Sequence, residues 1–427
     1  MNIFMQWRNG EIDDREVLAT LQRERPRTQD RMQWDSLIAR VHMERGDFTS
    51  AKKILERLPA SPETSSALKE ANGKPNLLEK TSTFNLHESP VRCMDFSKDG
   101  SMVVSCGSAT MKSPKNIFVW NPATCQTNRE YILPNQNIGG VSAVAFHPSG
   151  LSFLVGYGDG TILRWSVHES SPISELLHPA KKWDSRKPAQ AIACSPDGSY
   201  ALAAAGKELE LYDLQKNELY RTFAAHQEKV NTVVCSPDGL LAASYCLIHG
   251  EDAKKVQSKV YLWEIESGIL LQTIKLTENV YSLAFAGAGR QLLTAGNLSL
   301  CLWDAETGEL IQKYGQELNR VRRACLSPSG QTVIKFEPHS LAPHSDYTMA
   351  PDSLFSVSSS LSVFEKDSGM CRLSIYGGES NWDCMAFSPD GRRFAITGES
   401  NRIDIWNFNE NSYTKMNSDW QVRFQRL

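Results

Sequence analysis

Apolar and polar residues alternate in short bursts along most of the chain, as in Val91-Arg92-Cys93-Met94-Asp95-Phe96 and Val141-Ser142-Ala143-Val144-Ala145-Phe146. A period of two over five or six residues predicts β-strands packed on their neighbours. Such runs start near Val91, Val141, Ala189, Val230, Val280, Val321 and Trp382. Each ends in a turn phrase of the Ser-Pro-Asp-Gly kind, closing at Gly100, Gly150, Gly198, Gly239, Gly289, Gly330 and Gly391. Proline presets φ and glycine accepts a positive φ, so the phrase predicts a tight hairpin. A second landmark is an aromatic residue closing another strand: Trp120, Trp165, Tyr212, Trp263, Trp303, Phe364 and Trp406. The two landmarks alternate strictly, in units of about 41 to 61 residues, which is the period of a propeller blade.

The first seventy residues change pattern. Turn signals are few, and apolar positions recur at helical spacing over Glu11–Arg25, Gln29–Arg45, Asp47–Leu58 and Ser61–Ala71. Pro26 and Pro59 end two of these, and Ser61 followed by Pro62 reads as a helix start. Asn72-Gly73-Lys74-Pro75 reads as a linker.

Trp303-Asp304 followed by Glu306-Thr307-Gly308, together with the Ser-Pro-Asp-Gly turns, resembles the WD-repeat family over about residues 77 to 408. The resemblance implies an all-β, seven-bladed β-propeller that serves as a binding platform. The chain departs from the family pattern, because one copy alone carries a literal Trp-Asp. The family's His ahead of the innermost strand is clear at His87 and His226, and its turn Asp at Asp159, with Asn297 and Asn401 as substitutes. The phrase Ala39…Gly46-x-Phe48-x-x-Ala51-x-x-x-Leu55 resembles one tetratricopeptide helical hairpin. The expected organisation is a helical element over 1–72, the propeller over 77–408 and a tail over 409–427. Thr83-Phe84-Asn85-Leu86-His87 aligns with Thr222-Phe223-Ala224-Ala225-His226, so it reads as an outer strand with no blade of its own. It is expected to complete the last blade; Ser412–Met416 is the competing closing strand.

Composition narrows the function. Lys plus Arg number 46 against 49 Asp plus Glu, and the net charge of -3 does not favour nucleic acid or an anionic membrane. No apolar run approaches a membrane span, and the N-terminus reaches Asp13 and Asp14 too soon for a signal-peptide core, so a cytoplasmic location is expected. The ten cysteines show no C-x-x-C spacing. Cys93, Cys194, Cys235 and Cys384 repeat at strand positions and are expected to be buried, free thiols.

No phosphate loop, nucleophile elbow or zinc-protease motif is present, and no cofactor is expected. His339, His344 and Asp346 share one long segment and read as surface polar residues rather than metal ligands. The function expected is a non-enzymatic scaffold for a partner protein or peptide. The alternative is a propeller enzyme or small-ligand sensor built at the channel mouth.

Insertions locate the working face. From turn glycine to closing aromatic the gaps are 20, 15, 14, 24, 14, 34 and 15 residues. The excess falls in Ser108–Asn116, Leu247–Ser258 and Glu337–Leu354. Further extra residues lie in Pro134–Gly140 and Pro179–Pro188, between units. Connections between second and third strands, and between blades, emerge on the same face, where long loops carry binding. The residues expected to contact a partner there are Arg92, Trp183, Asn231, Tyr281, Arg320, Arg322 and Asp383. Arg320, Arg322 and Arg323 form a small basic cluster suited to an acidic or phosphorylated ligand.

Overall fold

The Ser-Lys-Asp-Gly turn of the first unit shows how the sequence builds a hairpin. Ser97 Oγ donates to Asp99 Oδ1 at 2.6 Å and accepts from Met102 N at 2.9 Å, while Gly100 takes φ 69°. The same serine–aspartate pairing recurs at Ser195/Asp197, Ser236/Asp238 and Ser388/Asp390. Each turn joins two antiparallel strands, and the repetition makes seven four-stranded sheets. The computed structural model describes residues 14–23, 31–44, 46–72, 76–107, 115–132, 140–176, 189–249, 256–286, 289–296, 299–314, 321, 323–338, 359–369, 371–376, 384–397, 401–410 and 412.

Blade 1 consists of Val91–Phe96, Val103–Gly107, Lys115–Asn121 and Gln126–Ile132, paired in that order. Blades 2 to 6 repeat it, with inner strands Val141–Phe146, Ala189–Cys194, Val230–Cys235, Val280–Ala286 and Arg323–Leu326. Each inner strand contacts the next, and that of blade 7, Met385–Phe387, contacts that of blade 1, so the ring closes. The inner strands of blades 6 and 7 begin two and three residues beyond the expected Val321 and Trp382. Every landmark aromatic lies on the third strand of its blade.

Blade 7 is assembled from both ends of the ring. Leu78–Phe84 pairs antiparallel with Ile403–Phe408, from Leu78 opposite Phe408 to Phe84 opposite Ile403. The N-terminal alternative is therefore the closing strand; residues 413–416 of the competitor lie outside the described residues. Phe84, 1% exposed, stacks on Trp120 of blade 1 with centroids 4.3 Å apart and planes 8° from parallel. The core consists of such layers between blades: Val104, Ile117 and Tyr131 of blade 1 pack on Phe153, Leu163 and Trp165 of blade 2.

Among the described residues four helices precede the ring: α1 (Asp14–Arg23), α2 (Arg31–Glu44), α3 (Phe48–Leu55) and α4 (Pro62–Ala71). Asp47 caps α3, accepting from Ser50 N at 3.0 Å. Burial works against the charged Asp47 carboxylate, but the His42 ring and the Ser50 amide hold its pKa at about 2. Ser61 and Thr64 form a capping box on α4, and Pro62 follows the cap as expected. Ala39, Phe48, Ala51 and Leu55 are buried together, so the small residues do let α2 and α3 approach. The pair is tied to the ring by its turn. Gly46, at φ 73°, accepts from Leu77 N at 2.9 Å, and a Cβ there would strike Leu77 and the carbonyl of Ser412. Asn409 Nδ2 donates to Asn76 O at 2.7 Å from the blade side.

Candidate partner-binding surface

The residue after each inner-strand start occupies a distinct backbone position. In blade 1 the register skips from Val91 to Cys93, leaving Arg92 as a bulge. The same skip leaves Ser142, Gln190, Asn231 and Tyr281 as bulges in blades 2 to 5. A bulge breaks pairing and re-aims one side chain, and it is frequent beside functional sites. Arg92 and Tyr281 are exposed and Asn231 is half-buried. Arg323 Nη1 donates to Tyr281 O at 2.7 Å, so one arginine of the expected basic cluster holds the Tyr281 backbone. Ser282 Oγ bonds Ala324 O at 2.8 Å, a further tie between blades 5 and 6. Trp183, Arg320, Arg322 and Asp383 lie outside the described residues.

Strand order puts the described strand ends that flank all five insertions at the end of the ring where these bulges sit. The blade 4 insertion is partly strand. Its second and third strands run on to His249 and from Val256, pairing Leu247 with Ser258, Ile248 with Gln257 and His249 with Val256. Residues 108–114, 133–139, 177–188 and 339–358, which hold most of the other insertions, lie outside the described residues, as do His339, His344 and Asp346. Among the described residues no group of three or more His, Cys, Asp and Glu could hold a metal.

Buried polar relays anchor the loops beneath this face. His87 Nε2 lies 2.7 Å from Ser105 Oγ, which accepts from Trp120 Nε1 at 3.0 Å. Blade 4 repeats the relay with His226, Ser244 and Trp263 at 2.8 and 2.9 Å. Burial lowers the pKa of both histidines to about 4, so they are neutral at pH 7. Elsewhere the pattern is rewritten. Trp165 Nε1 meets Tyr157 Oη in blade 2. In blade 5, Glu278 accepts from Ser299 N and Oγ. In blade 6, Lys335 lies 5.1 Å from the Phe364 ring centroid. Asp159 accepts from Thr161 N in the expected turn; Asn401 takes a positive φ; Asn297 lies outside the described residues.

Asp95 is the carboxylate that bridges two inner strands, accepting from Phe96 N at 2.9 Å and Phe146 N at 2.8 Å. Burial raises its pKa to about 6. The four repeated thiols are free but only partly buried, which corrects the expectation of full burial. Cys194 and Cys235 stand where blades 1 and 2 have Phe96 and Phe146, and the shorter side chain leaves part of the surface uncovered. Cys93 shares the half-buried side of its inner strand with Asp95, and Cys384 directly precedes an inner strand that is half-buried throughout. The Cys106 thiol and then burial push the Cys93 thiol well up, and burial pushes Cys235 and Cys384 to about 12. Such thiols are poor nucleophiles.

A closed ring of seven antiparallel four-stranded sheets, sealed by strands from both chain ends, defines a β-propeller. Residues 78–121, 131–166, 268–304 and 369–407 match the family described as WD domain, G-beta repeat. The chain therefore carries WD repeats on a seven-bladed propeller. It is 24% identical over 57% of its length to the transcriptional corepressor LEUNIG_HOMOLOG of Arabidopsis thaliana, covering 34% of that protein. It is 21% identical over 68% of its length to autophagy-related protein 16 of the same plant, covering 50% of it. It is 29% identical over 28% of its length to the small ribosomal subunit protein RACK1 of Medicago sativa, covering 33% of it. The chain thus spans a third to a half of these relatives. Among the described residues no helix is long and apolar enough to cross a membrane.

Proposed function

We propose that the protein is a non-enzymatic interaction scaffold, with the loop-rich face of the propeller as its main docking surface for a partner protein or peptide. The observation that carries this is the inner-strand bulge, repeated in five successive blades at the end of the ring where the insertions emerge. It gives a rigid ring of re-aimed side chains, Arg92, Asn231 and Tyr281 among them, surrounded by long connections. The relatives' names support the reading: a corepressor, an autophagy-related protein and a ribosomal subunit protein share repeats of this kind. A common scaffold serving different assemblies fits that spread. Trp183, Arg320, Arg322 and Asp383 belong to the same proposed surface, with the arginines favouring an acidic or phosphorylated segment.

Affinity purification with mass spectrometry tests the reading, comparing the full chain with an Arg320→Glu/Arg322→Glu variant. Partner recovery should fall while the melting temperature stays unchanged. Undiminished recovery by the variant would place the partner elsewhere.

A further inference from the structure

The opposite end of the ring carries a feature the loop-rich face does not explain. Each outer strand has its own bulge, one residue after the residue opposite the landmark aromatic. In blades 2 to 5 the unpaired residues are Ile173, Tyr220, Leu271 and Ile311. All four are bulky and apolar, with 46 to 54% of their surface exposed. In blade 1 the position holds the polar Asn128. In blade 6 it holds Arg372, 4% exposed and paired with Glu365 at 2.7 Å. The apolar series is therefore bounded on both sides.

Hydrogen bonds make the series one surface. Ser174 Oγ of blade 2 bonds Asn217 Oδ1 of blade 3 at 3.2 Å. Arg221 Nη1 of blade 3 donates to Ser267 O of blade 4. Gln272 Nε2 of blade 4 donates to Thr307 O of blade 5 at 2.9 Å. Each outer strand thus starts against the third-to-fourth-strand turn of the next blade. Leu219, Ile269, Leu270 and Leu310, also exposed, lie one or two residues from these bulges. Leu240, in the first turn of blade 4, bonds through its carbonyl to Ile265 N and extends the belt inward. Exposed apolar side chains gathered at one end of a fold mark an interaction site.

Charge selects the occupant. Residues 264–272 contain Glu264 and Glu266, and residues 304–312 contain Asp304, Glu306 and Glu309, with no Lys or Arg in either stretch. All four glutamates are exposed. Among the described residues, the cations beside the belt in blades 4 and 5 are Arg290, in the first turn of blade 5, and Lys313, two residues beyond Ile311, while Arg221 of blade 3 donates to Ser267 and lies 5.8 Å from the Tyr220 ring centroid. We propose that this belt docks a basic, apolar-rich peptide segment of a partner protein, its Leu/Ile/Phe-type side chains on Tyr220, Leu271 and Ile311 and its Lys/Arg on the glutamate rim. A second copy of the chain would bring the same carboxylates against themselves, and an anionic membrane would be repelled. The proposal goes beyond the loop-face reading and stands without it.

The test pans a random-sequence peptide library displayed on phage against the immobilised full chain, then measures enriched peptides by fluorescence anisotropy. Enriched sequences should combine Lys/Arg with bulky apolar residues. Their binding should weaken about tenfold on Leu271→Ser and again on Ile311→Ser, in keeping with loss of one buried anchor. It should also weaken on Glu266→Lys and with added salt, and be unchanged on Arg92→Glu at the opposite face. Both serine variants should melt with the parent, because the side chains removed are exposed. Absence of basic–apolar enrichment, or binding indifferent to Leu271→Ser, overturns the proposal. So does a wild-type dimer in sedimentation velocity that Leu271→Ser dissociates, which would make the occupant a second copy.

Discussion

Acidification from pH 7 to pH 5 should destabilise the ring, chiefly through two side chains. His87 and His226 are 5% and 9% exposed and have their pKa values lowered by burial from 6.5 to about 4. Between those values the unfolded chain binds a proton at each imidazole and the folded chain does not. Stability that is complete above about pH 6.5 is therefore lost as pH falls toward 4. Integrated from pH 7 to 5, this costs about 2 kcal/mol per histidine. Asp95 acts in the opposite sense: its folded pKa of about 6 lies above the ordinary 3.8, so its protonation stabilises the fold over that interval. Its offset is about 1 kcal/mol, leaving a net loss of about 2–3 kcal/mol. Urea unfolding followed by tryptophan fluorescence at both pH values measures it. A His87→Gln/His226→Gln variant should start less stable and lose most of the slope, leaving Asp95 and His147, whose pKa burial also lowers, to act in opposite senses. A wild-type protein equally stable at both pH values, or the same slope in the variant, would refute the assignment of neutral buried histidines.

Three further outcomes follow from the packing. Phe84→Ala should cost about 3–5 kcal/mol, because it empties the stack on Trp120 where the last blade meets the first, and deletion of residues 76–86 should cost more; unchanged urea midpoints would return the closing role to the Tyr413 region. Gly46→Ala should loosen the helical element, since a Cβ at this positive φ strikes Leu77 and Ser412; limited proteolysis should then release the helices from an intact ring, and an unaltered digestion pattern would contradict it. Cys106 and Cys246, both buried, should react with a maleimide only after unfolding, while Cys235 and Cys384 react slowly in native buffer; rapid native labelling of the first pair would contradict the packing.

The parts of the fold legible in the sequence are those set by local chemistry. Ser195-Pro196-Asp197-Gly198 makes its turn from its own hydroxyl and carboxylate, so its spacing to Tyr212 counts a blade before any long-range contact is known. The closing strand was legible because Thr83-Phe84 repeats Thr222-Phe223, a likeness that survives transfer to the other end of the ring. Register was not legible. That Arg92 and Tyr281 are bulges, or that Tyr220 and Leu271 leave their ladders, depends on which residue of a neighbouring strand stands opposite. The apolar belt was missed for that reason. A signal was present in Asn217-Glu218-Leu219-Tyr220, Gly268-Ile269-Leu270-Leu271 and Gly308-Glu309-Leu310-Ile311, which place two or three apolar residues after a turn where alternation predicts one. Lys335 was equally hidden, because a lysine in a strand is expected in solvent, whereas here it replaces the serine of blades 1 and 4 beside an aromatic.

The central claim, that the loop-rich face is where a partner docks, is tested most directly by site-specific photo-crosslinking in cells. A photoreactive amino acid is placed at Tyr281, on the bulge of blade 5, and separately at the exposed Arg392, in the tight turn of blade 7. A discrete adduct to a partner protein from position 281, with none from position 392, is the expected result; an adduct from position 392 with none from position 281 would contradict it.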